Sequence, residues 1–125
     1  MAISPTQTSS ESDLQNRAII EISSKLSGIV TIWRNNTGAA MLKDRFVRFG
    51  LKGQGDASGL MKPYGRRLEL EFKAPGKKQR PDQKLFQAMI EAHGGLYFLI
   101  DNWEKVMVCI ETIRAVAERD ARVVR

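Results

Sequence analysis

Hydrophobic and charged residues alternate along the segment 67–74. Its apolar members are Leu68, Leu70 and Phe72, and its charged members are Glu69, Glu71 and Lys73. Because successive side chains of a strand point to opposite faces of the sheet, this pattern predicts a β-strand. One face of the strand would pack on the core, and the other would carry two carboxylates and a lysine. Pro75 and Gly76 end the strand.

A helical period is clearest near the N-terminus, in residues 10–27. Its apolar stripe consists of Leu14, Ala18, Ile19, Ile22 and Leu26. Glu11 falls inside this stripe and Glu21 falls at its margin. A carboxylate on a core-facing stripe suggests a functional group, although an acid in the first turn also favours the helix dipole. The spacing favours Glu11 as the functional acid but does not exclude Glu21.

The remaining pattern predicts two more helices and three more strands. Residues 29–34, 45–51 and 96–100 are expected to be strands, and helices begin at Pro81 and near Trp103. Glycines 50, 53, 55 and 59 indicate a flexible segment in which chains approach closely. Trp33 is expected to lie in the core rather than to form a stacking platform.

This order of elements predicts an α/β protein with a mixed β-sheet of about four strands flanked by helices. The strand–helix–strand unit from 67 to 100 should be a right-handed parallel crossover. A single domain is expected over residues 10–120, with a flexible arm at 1–9 and a frayed C-terminus at 121–125.

The composition favours a partner that carries negative charge. The 125 residues have a formal net charge of +6, with one cysteine and one histidine. Cys/His zinc sites and internal disulfides are therefore excluded, and Cys109 is expected to serve packing only. No apolar run approaches the ~20 residues of a membrane span, so we expect no membrane association and a cytoplasmic location.

Asp56, Glu71 and Lys73 are the candidate chemistry of the chain. Asp56 follows Gly55 ahead of the alternating strand, and Glu71 and Lys73 share a face of that strand because residues i and i+2 do. If the two segments pair as a hairpin, the two carboxylates meet, and a divalent cation such as Mg²⁺ would relieve their repulsion. A solvated strand with an ordinary mixture of Glu and Lys is the plain alternative. Glu69 is a possible surplus ligand.

Polar residues around this group suggest a phosphate-bearing substrate. Gln83 follows in the first turn of a helix, where its amide can orient the lysine or a phosphate. The candidate contacts to a nucleic-acid backbone are Arg34, Lys77, Lys78 and Arg80.

Several stretches together resemble the VRR-NUC family of the PD-(D/E)xK nuclease superfamily. They are ESDLQ at 11–15, WRNNTG at 33–38, FGLKGQGDASG at 49–59, LEFKAPGKKQRPDQKLF at 70–86 and GGLYFLID at 94–101. The chain looks like the small stand-alone members from phages and bacteria. One difference is Gly55, which stands where the family has a proline, and this should loosen the turn. Another is Arg80, where the family often has serine.

The resemblance implies a DNA endonuclease with a restriction-endonuclease-like core that depends on Mg²⁺ or Mn²⁺. Its metal ligands would be Asp56, Glu71, Glu11 and the backbone carbonyl of Phe72, with Lys73 and Gln83 completing the catalytic set. Stand-alone members are similar to Holliday-junction resolvases, so a homodimer acting on branched DNA, in a bacterial or phage-infected cell, is expected. The rival hypotheses are a non-catalytic nucleic-acid-binding domain and a purely structural interaction domain.

Overall fold

The computed structural model of this protein describes residues 7–35, 38–42, 45–49 and 51–123. Within these ranges the helices are α1 (Gln7–Lys25), α2 (Pro81–Ala92) and α3 (Trp103–Ala121). The strands are β1 (Val30–Arg34), β2 (Gly38–Leu42), β3 (Arg45–Phe49), β4 (Ala57–Met61), β5 (Arg66–Phe72) and β6 (Leu96–Ile100). Helix α1 begins at Gln7, earlier than expected, while residues 1–6 and 124–125 of the predicted arm and C-terminus lie outside the described residues.

The main sheet has four strands in the order β1-β4-β5-β6. Strand β4 is antiparallel to β1 and to β5, whereas β5 and β6 are parallel. The expected mixed α/β architecture is confirmed at this level, including the parallel pair joined through α2. No helix among the described residues is long and apolar enough to cross a membrane.

The membership of the main sheet differs from the prediction. The predicted strand at 45–51 is present as β3, but it pairs with β2 in a separate two-stranded sheet. Its place in the main sheet is taken by β4, which lies in the segment that was expected to be flexible. Ala57, Ser58 and Gly59 are all buried. Because their side chains are small, the sequence shows no alternation of hydrophobic and polar residues that would predict a strand here. A Cβ at Gly59 would lie 2.7 Å from the Thr31 carbonyl oxygen, which explains the glycine there.

Strand β5 is buried on both faces. Leu68, Leu70 and Phe72 pack into the main core with apolar residues of α1 and α3, among them Ala18, Ile22, Leu26, Val106, Cys109, Ile110 and Ile113. On the opposite face, Phe86 and Ile90 of α2 pack against Tyr97 of β6. The face that carries Glu69 and Glu71 is therefore covered by a helix rather than by solvent.

Two single residues test the predicted core. Cys109 is fully buried, and burial raises the pKa of its thiol to about 12, which agrees with a packing role. Trp33 was expected in the core, but its side chain is 42% exposed. That expectation was wrong because Trp33 lies on the edge strand β1, on the sheet face away from α1 and α3.

A partly buried ion pair connects the end of α3 to β5, and its removal should destabilise the fold. Arg66 donates hydrogen bonds of 2.9 and 2.7 Å to the two carboxylate oxygens of Asp120, which is 6% exposed. We expect Asp120→Ala to lower the free energy of unfolding by about 2–3 kcal/mol, because it leaves the guanidinium without this partner. Denaturant titration of the variant measures the loss.

Asp13→Ala is the matched control for this prediction. Asp13 pairs with Arg17 at 3.9 Å, and both side chains are 64% exposed. Exposed pairs of this kind contribute about 0–1 kcal/mol, so the control should leave stability nearly unchanged. Equal losses in the two variants would contradict the assignment.

Candidate active site

The β4–β5 hairpin brings the two predicted acids together. Its register places Ala57 opposite Leu70, so Asp56 emerges beside Glu71. The carboxylate Oδ2 of Asp56 accepts a hydrogen bond of 2.7 Å from the backbone amide of Phe72, the neighbour of Glu71. The charge of Asp56 also acts on Glu71. The hairpin on which the candidate chemistry depended is therefore present.

Glu71 is the most unusual residue of the group. It is 3% exposed. Its Oε2 accepts a hydrogen bond of 2.9 Å from Gln83 Nε2 and forms an ion pair with the Lys73 ammonium at 3.4 Å. Its second oxygen, Oε1, is buried and has no hydrogen-bond partner. Burial, followed by the charge of Asp56, raises the pKa of Glu71 to about 7, although Lys73 opposes the shift. A further cation beside this carboxylate would stabilise its ionised form.

Asp56 and Glu11 extend the acidic group. Burial is the main cause that raises the pKa of Asp56 above its ordinary value, with a contribution from the charge of Glu11, while the Phe72 amide opposes the shift. Glu11 Oε2 accepts a hydrogen bond of 3.1 Å from the Ala74 amide, just beyond β5. Glu21 lies ten residues further along α1, roughly 15 Å away by the helical rise. Helix α1 therefore brings Glu11 to the site, and not Glu21.

Gln83 is held in place by its own helix. Its Oε1 accepts a hydrogen bond of 2.8 Å from the Arg80 amide at the start of α2, while its Nε2 donates to Glu71. The residue is 3% exposed. The side chain thus orients a carboxylate, where the sequence had suggested the lysine or a phosphate.

Asn35, which the sequence analysis had not singled out, supports the turn that carries Asp56. Its backbone amide donates to the Asp56 carbonyl at 2.9 Å, and its side-chain amide donates to the Gly55 carbonyl at 2.9 Å and to Ser58 Oγ at 2.7 Å. A Cβ at Gly55 would lie 2.7 Å from the Leu70 carbonyl oxygen. The glycine therefore packs the turn tightly against β5, contrary to the expectation that it loosens the turn.

Glu69 belongs to a structural network next to the site. Its Oε2 accepts a hydrogen bond of 2.6 Å from Ser58 and pairs with Arg67 Nη2 at 2.6 Å. Its Oε1 is buried without a partner, as in Glu71, but one of its oxygens is already neutralised by a guanidinium. The interpretation of Glu69 as a surplus ligand is therefore weakened. Ser58 was missed in the sequence because β4 has no alternation.

Tyr97 is a further neighbour that sequence reasoning missed. It is 8% exposed, and its hydroxyl accepts a hydrogen bond of 3.1 Å from Gln79. Burial raises the pKa of Tyr97 to about 12, and the charges of Glu71, Glu69 and Asp56 contribute. The phenol therefore stays protonated beside the acidic group. Its position in a continuously apolar strand gave no sign of this environment.

The predicted phosphate contacts differ in what connects them to the site. Lys77 and Lys78 are exposed in the loop after β5. Arg80 is exposed and pairs with Asp82 at 3.2 Å, and its charge lowers the pKa of Glu71. Arg34 donates a hydrogen bond of 2.6 Å to Asn16 of α1, and its charge acts on Asp56. Arg34 and Arg80 are thus close enough to influence the carboxylates.

The donor set fits a hard cation such as Mg²⁺ in part. Among the residues that the structure describes, no group of three or more His, Cys, Asp or Glu side chains is arranged to hold a metal ion. Glu11 and Asp56 each use one carboxylate oxygen to accept a hydrogen bond from a backbone amide. However, Mg²⁺ keeps several waters and needs only one or two carboxylates, so Asp56 and the unpartnered oxygen of Glu71 would suffice.

Comparison with known proteins adds no assignment. No family model matches this chain, and no curated protein is significantly similar to it in sequence. The resemblance to VRR-NUC nucleases therefore stays an expectation that depends on the residues named above.

Proposed function

We propose that this protein is a metal-dependent endonuclease that hydrolyses phosphodiester bonds in DNA. The observation that carries the proposal is the buried, unpartnered oxygen of Glu71 beside the carboxylate of Asp56 and the ammonium of Lys73. An arrangement of this kind costs stability in the metal-free protein, since one acid is kept from ionising. A divalent cation removes that cost and gives the group a chemical use.

Each residue has a distinct part in the proposed reaction. Asp56 and Glu71 would hold Mg²⁺ or Mn²⁺, with the Phe72 carbonyl and Glu11 as further candidate oxygen ligands. The bound metal would polarise the phosphate and activate a water. Lys73, with its side chain 11% exposed, orients the attacking water and offsets the negative charge that develops. Gln83 fixes the Glu71 oxygen that faces the lysine.

The surface around the site suits a nucleic-acid backbone. The net charge is +6, the charges of Arg34 and Arg80 act on the acidic group, and Lys77 and Lys78 are exposed in the loop after β5. We propose that these side chains contact phosphates, that the sheet and helices form a restriction-endonuclease-like core, and that the protein acts in the cytoplasm. We also propose a homodimer that acts on branched DNA, because two-fold symmetry suits paired cuts at a four-way junction. Light scattering tests the dimer.

The decisive experiment is a cleavage assay on end-labelled DNA of several shapes. Single strands, flapped duplexes, blunt duplexes and four-way junctions are incubated with Mg²⁺, Mn²⁺ or EDTA. We expect cleavage with either metal and none in EDTA. DNA that is bound but left uncut under every metal condition would favour the non-catalytic binding domain. A protein with no salt-dependent affinity for DNA would favour the structural interaction domain.

A further inference from the structure

An exposed aromatic side chain lies on the same sheet face as the acidic group. The register aligns Trp33, Ser58, Glu69 and Tyr97 in one row across the four strands. The next row begins at Asn35, whose amide binds the Asp56 carbonyl, and contains Glu71. Residues two apart on a strand share a face, so Trp33 and the acids face the same way.

The part of this face near β1 is open to solvent. Trp33 is 42% exposed and Leu60, which follows Ser58 on the same face, is 44% exposed. By contrast, Glu71 and Tyr97 on β5 and β6 are buried with α2 above them. The acidic group therefore lies at the border between a covered half and an open half of the sheet, and the indole provides a large aromatic surface on the open half.

We propose that Trp33 is a stacking platform for an unpaired base of the DNA strand cut at Asp56 and Glu71. This inference depends on the proposed function and specifies its substrate class. Asp56 and Glu71 lie two residues further along the strands than Trp33 and one and two strand spacings to the side, so their Cα atoms are roughly 8 and 12 Å from that of Trp33, or about two to four base steps of 3.4 Å. A base joined to a phosphate at the site can therefore reach the indole. The positive net charge favours this occupant over an apolar peptide.

Stacking on Trp33 selects DNA in which the base stack is interrupted. Inside a continuous duplex both faces of each base are covered by neighbouring bases, so an indole finds no free face. A single strand, a flap or an open branch point exposes such a face. Aromatic side chains bind unpaired bases of any sequence in this way. The preferred substrate would thus have unpaired nucleotides within a few steps of the cut.

The experiment measures binding and cleavage separately. In EDTA, a single-stranded oligonucleotide is titrated against the Trp103→Phe protein, which leaves Trp33 as its sole indole. We expect Trp33 fluorescence to be quenched by this oligonucleotide and much less by a blunt duplex or an abasic strand. Trp33→Ala should weaken single-strand binding by roughly tenfold, whereas Trp33→Phe should retain most of the affinity.

Tyr64→Ala provides the matched control, because Tyr64 is an aromatic residue that is 49% exposed in the turn between β4 and β5. This variant should bind DNA like the wild type. Unchanged single-strand affinity in Trp33→Ala, or equal cleavage of blunt and flapped DNA, would overturn the inference even if the protein is a nuclease. A change of oligomeric state in Trp33→Ala without loss of DNA affinity would assign the indole to a dimer contact instead and also overturn it. Trp33-dependent binding without cleavage by the wild type would reject the nuclease while retaining the platform.

Discussion

Lys73→Met should lower the rate of DNA cleavage by at least about 100-fold and leave DNA affinity nearly unchanged. The Lys73 ammonium lies 3.4 Å from Glu71 Oε2, and its side chain is only 11% exposed. It therefore contributes positive charge within the acidic group rather than on the phosphate-binding surface. Methionine keeps most of the side-chain volume and removes the charge. Single-turnover cleavage of labelled DNA with saturating Mg²⁺ measures the effect on the rate.

Lys78→Met provides the control for this experiment, because Lys78 is exposed in the neighbouring loop. We expect this variant to bind DNA more weakly and with a smaller dependence on salt, while the single-turnover rate on bound DNA is kept. A Lys73 variant that cleaves as fast as the wild type would contradict the assigned role. Thermal melting of both variants checks that neither change unfolds the protein.

Metal-free protein should lose stability as the pH rises from 5 to 8, and Glu71→Gln should remove much of that loss. Glu71 has an ordinary pKa of 4.5 and a folded pKa of about 7. Near pH 5 the folded carboxyl is largely protonated, whereas above pH 7 it is ionised in a buried place. Because the folded state holds the proton more tightly, stability falls with pH across this window. A shift of this size corresponds to about 3 kcal/mol.

Denaturant titrations in EDTA at several pH values measure this dependence for both proteins. Asp56 has a raised pKa too and contributes in the same direction, so the difference between wild type and Glu71→Gln isolates Glu71. At pH 8, Mg²⁺ should stabilise the wild type more than the variant, since the metal binds the folded protein. Identical pH profiles for the two proteins would show that Glu71 titrates normally.

The sequence predicted the elements whose pattern is set by burial. Strand β5 and the stripe of α1 alternate between apolar and polar residues at the periods that burial requires, so both were found. Strand β4 was missed because Ala57, Ser58 and Gly59 are small, and small residues carry no hydrophobic signal. Trp33 was misplaced because a large aromatic residue is usually buried, while its exposure depends on the strand order, which local patterns do not contain.

The candidate site was predictable to the extent that its members lie on one hairpin. Glu71 and Lys73 are neighbours on a single strand, and Asp56 precedes the strand that pairs with it. Asn35 could not be found in this way, because its bonds to Gly55 and Asp56 cross between strands that are distant in sequence. Glu71 Oε1 lacks a hydrogen-bond partner because of how the side chain packs under α2, and this packing cannot be inferred from the sequence.

The crowded position at Gly55 has a consequence for the mutational freedom of this chain. Any side chain there would begin 2.7 Å from the Leu70 carbonyl oxygen. In a saturation library selected for function, glycine should therefore be recovered almost alone at this codon, whereas replacements of the exposed Lys77 and Lys78 should fold and only weaken DNA binding. Laboratory evolution aimed at new substrates has room in that basic loop and very little in the glycine turn.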